Sequence, residues 1–255
     1  MPEGDTVWRV AARMHEALAG RTLTRFDLRV PRLATRDLTG HEVTEVVARG
    51  KHLLIRIDDL TLHSHLRMDG AWRLFPTAGR WQGGPTHQIR AIVANREQTA
   101  VGSRMHDLAL LRTRDEARLV GHLGPDLLGD DWDAAEAVLR LAAAPTRPIA
   151  EALLDQRNLA GIGNVFKSEI LFCDRVHPWT PAGDVDLPAV VATAHRLLTA
   201  NRTGGRRRTT GLPGADLWVY GRQGRSCLRC GGRISSAEQD DRVTYWCPDC
   251  QRALT

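Results

Sequence analysis

The first pattern along the chain is an amphipathic helix near its beginning. Over residues 5–19, apolar side chains recur every three to four positions, which places them on one face of a helix. These side chains are Val7, Val10, Ala11, Met14 and Leu18. Asp5 can cap the start of the helix and Gly20 fits its end.

From about residue 21 to residue 118 the period of the apolar positions changes to that of β-strands. Six short runs of this kind are VTEVVARG, KHLLIRID, LTLHSHLRM, AWRLF, HQIRAIVAN and LALLRT. Residues that favour turns, mainly Gly, Pro, Asp and Asn, separate them. The pattern predicts a β-sandwich or barrel with one leading helix.

The helical period returns in the second half, after the linker-like segment HLGPDLLGDDWD. We predict helices over 134–144, from Pro148 to 154, over 165–172 and over 187–200. A basic, Gly-rich loop, NRTGGRRRTTGLPG, then leads to a cysteine-bearing module. The fold class is therefore a multidomain α+β protein. Its predicted parts are a β-sandwich domain over 1–118, a linker over 119–131, a helical domain over 132–212 and a zinc finger over 213–255.

Composition adds a modest basic excess to this outline. The 255 residues carry a formal net charge of +5, with a pI near 9.3, which permits an anionic partner such as nucleic acid. The only lysines are Lys51 and Lys167. No apolar run is long enough to span a bilayer, and acidic residues interrupt the start where a signal peptide would be apolar. We therefore expect a cytoplasmic, nucleoid-associated monomer without a membrane partner.

Four of the five cysteines form two pairs near the end of the chain, in CLRCGGRISSAEQDDRVTYWCPDC. Cys227 and Cys230 form the first C-x2-C pair, and Cys247 and Cys250 form the second after sixteen residues. Two such pairs on a β-hairpin provide four thiolates for tetrahedral zinc, while redox thiols rarely occur as two pairs. With four protein ligands no open position remains, so the sequence predicts one structural Zn2+.

Three further stretches are candidates for chemistry. In LAGIGNVFKSEILF, the turn before Asn164 leads into a helix whose start can bind phosphate, although an ordinary glycine-rich connection fits equally well. Lys51 begins a strand and lies on the same face as the apolar residues that follow at alternate positions. Its ammonium group therefore either extends to water or transfers protons in a cleft. Met68 falls in a turn, where it is either core filler or a wedge between bases.

The opening MPEGDT raises a separate possibility. If Met1 is removed, the nitrogen of Pro2 becomes a secondary amine beside the carboxyl group of Glu3, which is an arrangement suited to covalent catalysis. On this segment alone a frayed terminus is the simpler interpretation.

Together these stretches resemble the formamidopyrimidine-DNA glycosylase and endonuclease VIII family of DNA repair enzymes. The matching segments are MPEGDT, GKHLL, SHLRMDGAW, HLGPDLL, LAGIGNVFKSEILF, and VYGRQGRSCLRC through RVTYWCPDCQ. They span nearly the whole chain in the family's order. The resemblance implies a β-sandwich with a leading helix, a helix–two-turn–helix domain and a zinc finger, with damaged DNA between the domains.

The resemblance also implies roles for individual residues. The Pro2 amine would attack C1′ of the damaged nucleotide, and Glu3 would be its acid–base partner. Lys51 matches the lysine assigned to β-elimination, and Arg242 matches the zinc-finger arginine assigned to δ-elimination. Asn164 matches the phosphate-binding asparagine of the double turn, and Met68 matches a residue that fills the gap in the base stack.

Both the matches and the differences between this chain and the two branches of the family indicate the branch that it resembles. MPEGDT and SHLRMDGAW resemble endonuclease VIII, which acts on oxidised pyrimidines. The purine-specific branch carries an Arg–Phe pair where this chain reads GSRMHDLALL. Arg67 stands where endonuclease VIII commonly has Gln, and His122 stands where it has a DNA-contacting Arg; both are candidate DNA contacts.

The resemblance thus predicts a bifunctional glycosylase and lyase for oxidised pyrimidines and abasic sites. Two alternatives stay open. One is a purine-specific glycosylase for 8-oxoguanine and formamidopyrimidines, and the other is a lesion-binding protein without catalysis, which a retained Met1 would favour.

Overall fold

The computed structural model describes residues 2–79 and 85–253. They divide into two compact units, one ending at His122 and the other starting at Leu123. Met1 lies outside the described residues, so its removal is not addressed by the structure. No helix among the described residues combines the length and apolar character needed to cross a membrane.

The first unit is a β-sandwich with a leading helix, as predicted. Its elements, in chain order, are α1 (Gly4–Leu18), β1 (Arg21–Thr22), β2 (Arg25–Leu28), β3 (Glu42–Arg49), β4 (His52–Ile57), β5 (Leu60–His65), β6 (Ala71–Pro76), β7 (Ile89–Ala94), β8 (Gln98–Ser103), β9 (Asp107–Arg112) and α2 (Ala117–Val120). The larger antiparallel sheet has the order β1-β3-β4-β5-β9 and the smaller one has the order β2-β7-β8-β6.

The core of this unit joins the helix to both sheets. Val7, Ala11, Met14 and Leu18 of α1 are all buried, as their spacing predicts, together with inward residues of the strands. The proposed cap was wrong, because Glu3 is the N-cap residue and Asp5 lies inside the first turn. Gly20 follows the helix with φ of +71°, a backbone conformation that favours glycine.

The sequence pattern missed three strands, β1, β2 and β8. β1 has only two residues, and β2 carries two charged residues within its four, which hides the apolar alternation. β8 reads QTAVGS, but five of its six residues are buried. Small residues suit this strand because the Trp72 ring packs across Gly102. A Cβ on Gly102 would lie only 3.1 Å from that ring, which is closer than an ordinary van der Waals contact.

The second unit is helical and ends in a β-hairpin. It contains α3 (Ala134–Ala142), α4 (Ile149–Leu154), α5 (Asn164–Cys173), α6 (Leu187–Ala200), β10 (Ser235–Gln239) and β11 (Arg242–Trp246). Pro148 was predicted as the first residue of its helix, but it is the N-cap and the helix begins at Ile149. The stretch 123–128 has no helix or strand, yet it is buried in this unit, with Asp126 bridging to Ala160.

Candidate nucleic-acid interface and zinc centre

The beginning of the chain is packed into the first unit. Pro2 is half-buried, and Glu3 has no solvent-exposed surface. The Glu3 carbonyl accepts hydrogen bonds from the backbone N–H groups of Thr6 (2.9 Å) and Val7 (3.0 Å), which starts α1. This ordering differs from a frayed terminus, and it fixes the residue after Pro2 at the start of α1, which is the positive end of the helix dipole.

Lys51 lies in the tight turn that joins β3 to β4, not within the strand as predicted. Arg49 pairs with His52, and Gly50 between them has φ of +56°. Beyond the turn, Leu53 and the alternate residues after it do face the core as expected. Lys51 is therefore half-buried at one end of the sheet.

The turn after β5 carries Arg67 and Met68. Met68 is 60% exposed, so it is not core filler. Arg67 has φ of +51°, and its guanidinium forms an ion pair with Asp107. The turn is closed by a 2.8 Å hydrogen bond from the Gly70 N–H to the Leu66 carbonyl. It needs glycine there, because a Cβ on Gly70 would come within 2.5 Å of that carbonyl oxygen.

Histidines form a cluster on the outer face of the same sheet, beside this turn. His52 Nδ1 and His63 Nε2 are 2.8 Å apart and share a hydrogen bond. The His65 ring packs edge-on against His52 with centroids 4.9 Å apart, and His122 does so at 6.3 Å. A cavity of about 480 Å³ next to them is also lined by Arg67. The structure thus brings two of the predicted DNA contacts, Arg67 and His122, to one cluster.

Burial favours the neutral form of three of these imidazoles, those of His52, His63 and His65. It lowers the pKa of His52 to about 3 and that of His65 to about 4. Interactions with the other histidines add to the shift of His52, and nearby positive charges add to that of His65. For His65 those charges include Arg67 and Lys51, so the ammonium group of Lys51 acts on the cluster. Burial also lowers the pKa of His63, against the opposing effect of Asp107 and Glu116.

These shifts predict acid-sensitive folding of the first unit. An unfolded histidine takes up a proton near pH 6.5, whereas folded His52 and His65 resist it until about pH 3 and 4. Stability is therefore full above pH 6.5 and falls as the pH decreases toward 4. We expect the melting temperature of this unit to drop by roughly 10 °C or more between pH 7 and pH 5.

Calorimetry of wild type and His52→Gln at both pH values checks this expectation. The variant should lose part of the pH-dependent drop, whereas His87→Gln, at an exposed position, should keep all of it. An identical pH dependence in wild type and His52→Gln would contradict the assignment.

In the second unit, Asn164 connects the double turn to the hairpin. It is the first residue of α5, whose N-cap is Gly163, so it does not cap the helix. Its side-chain amide donates to the Val243 carbonyl at 2.8 Å. Its Oδ1 is buried and has no hydrogen-bond partner among the described atoms. A buried, unpaired amide oxygen is costly and is a feature typical of binding sites.

The four predicted cysteine ligands form one compact group. Their sulfur atoms all lie within 4.8 Å of one another, and no other described residues form a group that fits a metal ion. The Cys227–Cys250 and Cys230–Cys247 sulfur pairs are 3.9 and 3.5 Å apart. Tetrahedral zinc with bonds of about 2.3 Å needs sulfur atoms about 3.8 Å apart, so the group fits this ion.

Glycines shape the turn after the first cysteine pair. Gly231 has φ of +81°, a backbone conformation that favours glycine. Gly232 has another constraint, because a Cβ there would lie 1.8 Å from the Asp249 carboxylate. Arg242 follows the Asp240–Asp241 turn at the tip of the hairpin, and it is exposed. An exposed guanidinium at a hairpin tip is free to reach a phosphate.

Glu169 organises the approach to the zinc finger from inside α5. Its carboxylate has no exposed surface. It accepts hydrogen bonds from the backbone N–H groups of Trp218 (2.7 Å), Val219 (2.9 Å) and Tyr220 (2.9 Å), and from the Thr209 hydroxyl. One helix side chain therefore holds both ends of the segment that precedes the finger.

We expect Glu169→Gln to destabilise the second unit by about 2–4 kcal/mol. Both oxygens of the carboxylate accept hydrogen bonds, whereas the glutamine amide has only one accepting oxygen, and its NH2 group would face donors. Denaturation followed by tryptophan fluorescence measures this change. Glu238→Gln, at an exposed position of the hairpin, should shift stability by less than about 0.5 kcal/mol. Equal effects of the two variants would show that the buried contacts of Glu169 contribute little.

Sequence reasoning missed Glu169 and the histidine cluster, although signals for both exist. Glu169 and Lys167 are charged residues inside a run, 164–172, that is otherwise suited to burial. Lys167 is fully buried and donates to the Thr244 hydroxyl at 2.7 Å. His52, His63 and His65 fall on one sheet face only once the strand register is known.

Comparison with protein families covers both units. The model described as the formamidopyrimidine-DNA glycosylase N-terminal domain matches residues 1–121, and the H2TH domain of the same family matches 123–202. A zinc finger found in FPG and IleRS matches 226–253. These three matches cover most of the chain.

Similar curated proteins are named as repair endonucleases or lyases. "Probable endonuclease 8 2" of Streptomyces coelicolor is 59% identical, over 98% of this chain and 94% of that protein. "Endonuclease 8 2" of Mycobacterium tuberculosis is 51% identical, over 99% and 100%. "DNA-(apurinic or apyrimidinic site) lyase Nei2" of Mycolicibacterium smegmatis is 48% identical, over 99% and 100%.

Solved structures show the same fold. Lactococcus lactis Fpg in complex with abasic-site DNA superposes with a TM-score of 0.83 at 24% identity, over 98% of this chain and 100% of that one. The same enzyme with DNA containing N7-benzyl-Fapy-dG gives 0.82 at 25% identity, over 99% and 100%.

Proposed function

Because this chain belongs to the formamidopyrimidine-DNA glycosylase and endonuclease VIII family, as a bifunctional glycosylase and lyase of the endonuclease VIII type, we propose that it removes oxidised pyrimidines through its Pro2 amine. The observation that carries this proposal is the packed beginning of the chain. Glu3, which follows Pro2 directly in the chain, is fully buried and is the N-cap residue of α1.

The first chemical step requires a neutral amine. When Pro2 is the terminal residue, its nitrogen lone pair attacks C1′ of the damaged nucleotide, and the base leaves with the electrons of the glycosidic bond. The positive end of the α1 dipole disfavours a second positive charge there, which supports the neutral form. We assign to Glu3 the transfer of a proton to the opening sugar and its later return.

Strand cleavage follows from the iminium ion that this attack produces. Its positive nitrogen withdraws electrons, so a base can remove a proton from C2′ while the 3′ phosphate leaves. We assign this proton transfer to Lys51 and assign the second elimination, which releases the 5′ phosphate, to Arg242. Asn164, Arg67 and His122 would contact the DNA backbone, and Met68 would fill the gap left by the extruded base.

The preference for pyrimidines rests on the segment GSRMHDLALL. The purine-specific branch needs an Arg–Phe pair here, whereas this chain has Arg104 followed by Met105, which is 97% buried and so cannot reach a base. The similarity to named endonuclease 8 proteins supports the same choice. The L. lactis Fpg that was solved with DNA containing N7-benzyl-Fapy-dG is only 25% identical to this chain.

The zinc finger completes the proposal. We assign one zinc ion to the four thiolates, which leave no position for water or substrate, so its role is structural. The ion would hold the hairpin that carries Arg242 and the Val243 carbonyl.

Borohydride trapping tests the activity and the substrate class together. Protein lacking Met1 is mixed with oligonucleotides carrying thymine glycol, dihydrouracil, 8-oxoguanine or an abasic site. We expect covalent adducts with the two pyrimidine lesions and the abasic site, at least about tenfold faster than with 8-oxoguanine. Faster trapping on 8-oxoguanine would favour the purine-specific alternative. The absence of an adduct with all four oligonucleotides would favour a lesion-binding protein without catalysis.

A further inference from the structure

An apolar groove runs between α1 and β6 in the first unit. It encloses about 390 Å³ and is lined by Val10, Met14, Trp72, Leu74 and Phe75 together with two arginines. None of these residues has a role in the proposed chemistry. Val10, Leu74 and Phe75 are only partly buried, so the groove presents apolar surface to solvent.

The two arginines are placed on opposite sides of this groove. Arg13 comes from α1 and Arg73 comes from β6, and both are exposed. Within residues 2–79 and 85–253, neither guanidinium forms an ion pair or a side-chain hydrogen bond. Other exposed arginines of the unit, such as Arg25 and Arg67, pair with an acid, namely Asp27 and Asp107.

The third feature of the groove, after its apolar lining and its two arginines, is the backbone of β6. Among the described strands it pairs only with β8, so it is an edge of the smaller sheet. Every second residue of an antiparallel edge strand points its N–H and C=O groups away from the sheet. Arg73 and Pro76 are residue types that discourage uncontrolled pairing at an edge, but neither accounts for the apolar cavity or for Arg13.

We propose that the groove between α1 and β6 binds an extended acidic peptide segment of a partner protein, which pairs with β6 as an added strand. Apolar side chains at alternate positions of the peptide would enter the cavity, because the side chains of a strand alternate between its two faces. Carboxylates would pair with Arg13 and Arg73, since guanidinium groups bind carboxylates through two parallel hydrogen bonds. This combination is the strand-addition mode of peptide recognition.

A nucleic acid fits the groove less well. Single-stranded DNA binds through exposed aromatic faces on which bases stack. Trp72 is 94% buried, its ring crosses Gly102, and its indole N–H is bound to the Ser64 hydroxyl at 3.0 Å. The groove therefore offers apolar volume and two cations, and of its two aromatic rings only that of Phe75 is partly open to solvent.

The probe for this site is a fluorescein-labelled ten-residue peptide in which aspartate alternates with isoleucine and phenylalanine. Anisotropy with the full-length, zinc-loaded protein should show saturable binding. Arg13→Glu with Arg73→Glu should weaken that binding at least about tenfold, because both carboxylate contacts become repulsive. The matched pair Arg32→Glu with Arg36→Glu, also exposed and in the same unit, should change it less than about twofold.

Two further measurements identify the mode of binding. A peptide methylated on alternate backbone nitrogens should lose affinity, and hydrogen exchange should show protection of β6 amides when the unmethylated peptide binds. The Arg13→Glu/Arg73→Glu variant should retain the wild-type melting temperature and lyase rate, which excludes misfolding.

Three results would overturn the proposal. The first is that the peptide does not bind, or that it binds the double variant as tightly as wild type. The second is that the double variant instead loses affinity for an undamaged single-stranded or duplex 20-mer, which would make the groove a nucleic-acid surface. The third is a dimer in sedimentation that Arg73→Glu dissociates, which would make the occupant a second copy of the chain.

Discussion

Converting the Pro2 nitrogen to an amide should reduce lyase activity at abasic sites by at least about 10³-fold and eliminate borohydride adducts. An amide nitrogen shares its lone pair with the carbonyl group and cannot attack C1′. The change is made by retaining Met1 or by adding an uncleaved N-terminal extension. Pro2→Ala should also weaken the adduct, because its primary α-amine lacks the pyrrolidine ring, which fixes the orientation of the nitrogen and makes it a secondary amine.

A binding control separates chemistry from folding. The blocked protein should bind DNA that carries an uncleavable abasic analogue within about threefold of the wild-type affinity, since the groups assigned to phosphate contact lie elsewhere. Mass spectrometry then locates any remaining adduct. An adduct mapped to Lys51 in the blocked protein, formed at the wild-type rate, would transfer the nucleophile from Pro2 to that lysine.

The effect of Glu3→Gln should differ from that of blocking the Pro2 amine. It removes the proton donor but leaves the amine, so release of thymine glycol should fall by about 10²-fold or more. Trapping on a pre-formed abasic site should fall less, because no base has to be expelled there. Equal losses on both substrates would mean that buried Glu3 mainly holds the beginning of α1 in place.

The sequence was sufficient for features that depend on local spacing. The period of α1 and the alternation in β4 identified buried faces that the structure confirms. The cysteine spacing placed four thiolates in one group, because a short hairpin can bring two C-x2-C turns together in few ways.

Features that depend on strand register or on distant contacts were not predictable in this way. His52 and His63 are eleven residues apart, and only the antiparallel pairing of β4 with β5 brings their rings together. Glu169 meets backbone groups some fifty residues later in the chain. The bond from Asn164 to the Val243 carbonyl likewise joins a helix to a hairpin 79 residues away. No local pattern of apolar positions encodes such contacts.

Because of the long-range contacts of α5, a zinc ion bound by the four cysteines would affect more of the second unit than the finger itself. Thr244 and Val243, the partners of Lys167 and Asn164, both belong to β11. Cys247 follows this strand directly, is fully buried, and packs with Phe172 of α5 and with Val219. A hairpin of this size buries little surface, so metal binding supplies much of its folding free energy. Losing the ion should therefore also loosen the surroundings of the double turn.

Cys247→Ser should consequently eliminate stoichiometric zinc, lower the melting temperature of the second unit and weaken binding to abasic-site DNA by about 100-fold or more. Serine is a poor zinc ligand, and Zn2+ binding in such modules is worth on the order of 10 kcal/mol. Metal analysis, calorimetry and fluorescence anisotropy measure the three effects. Cys173→Ser is the matched control, because this cysteine lies outside the metal group and should leave zinc content unchanged. The first unit has its own core. Its melting transition should therefore survive in Cys247→Ser. If Cys247→Ser instead keeps one zinc per chain and full DNA affinity, three thiolates are enough to hold the hairpin in its binding position.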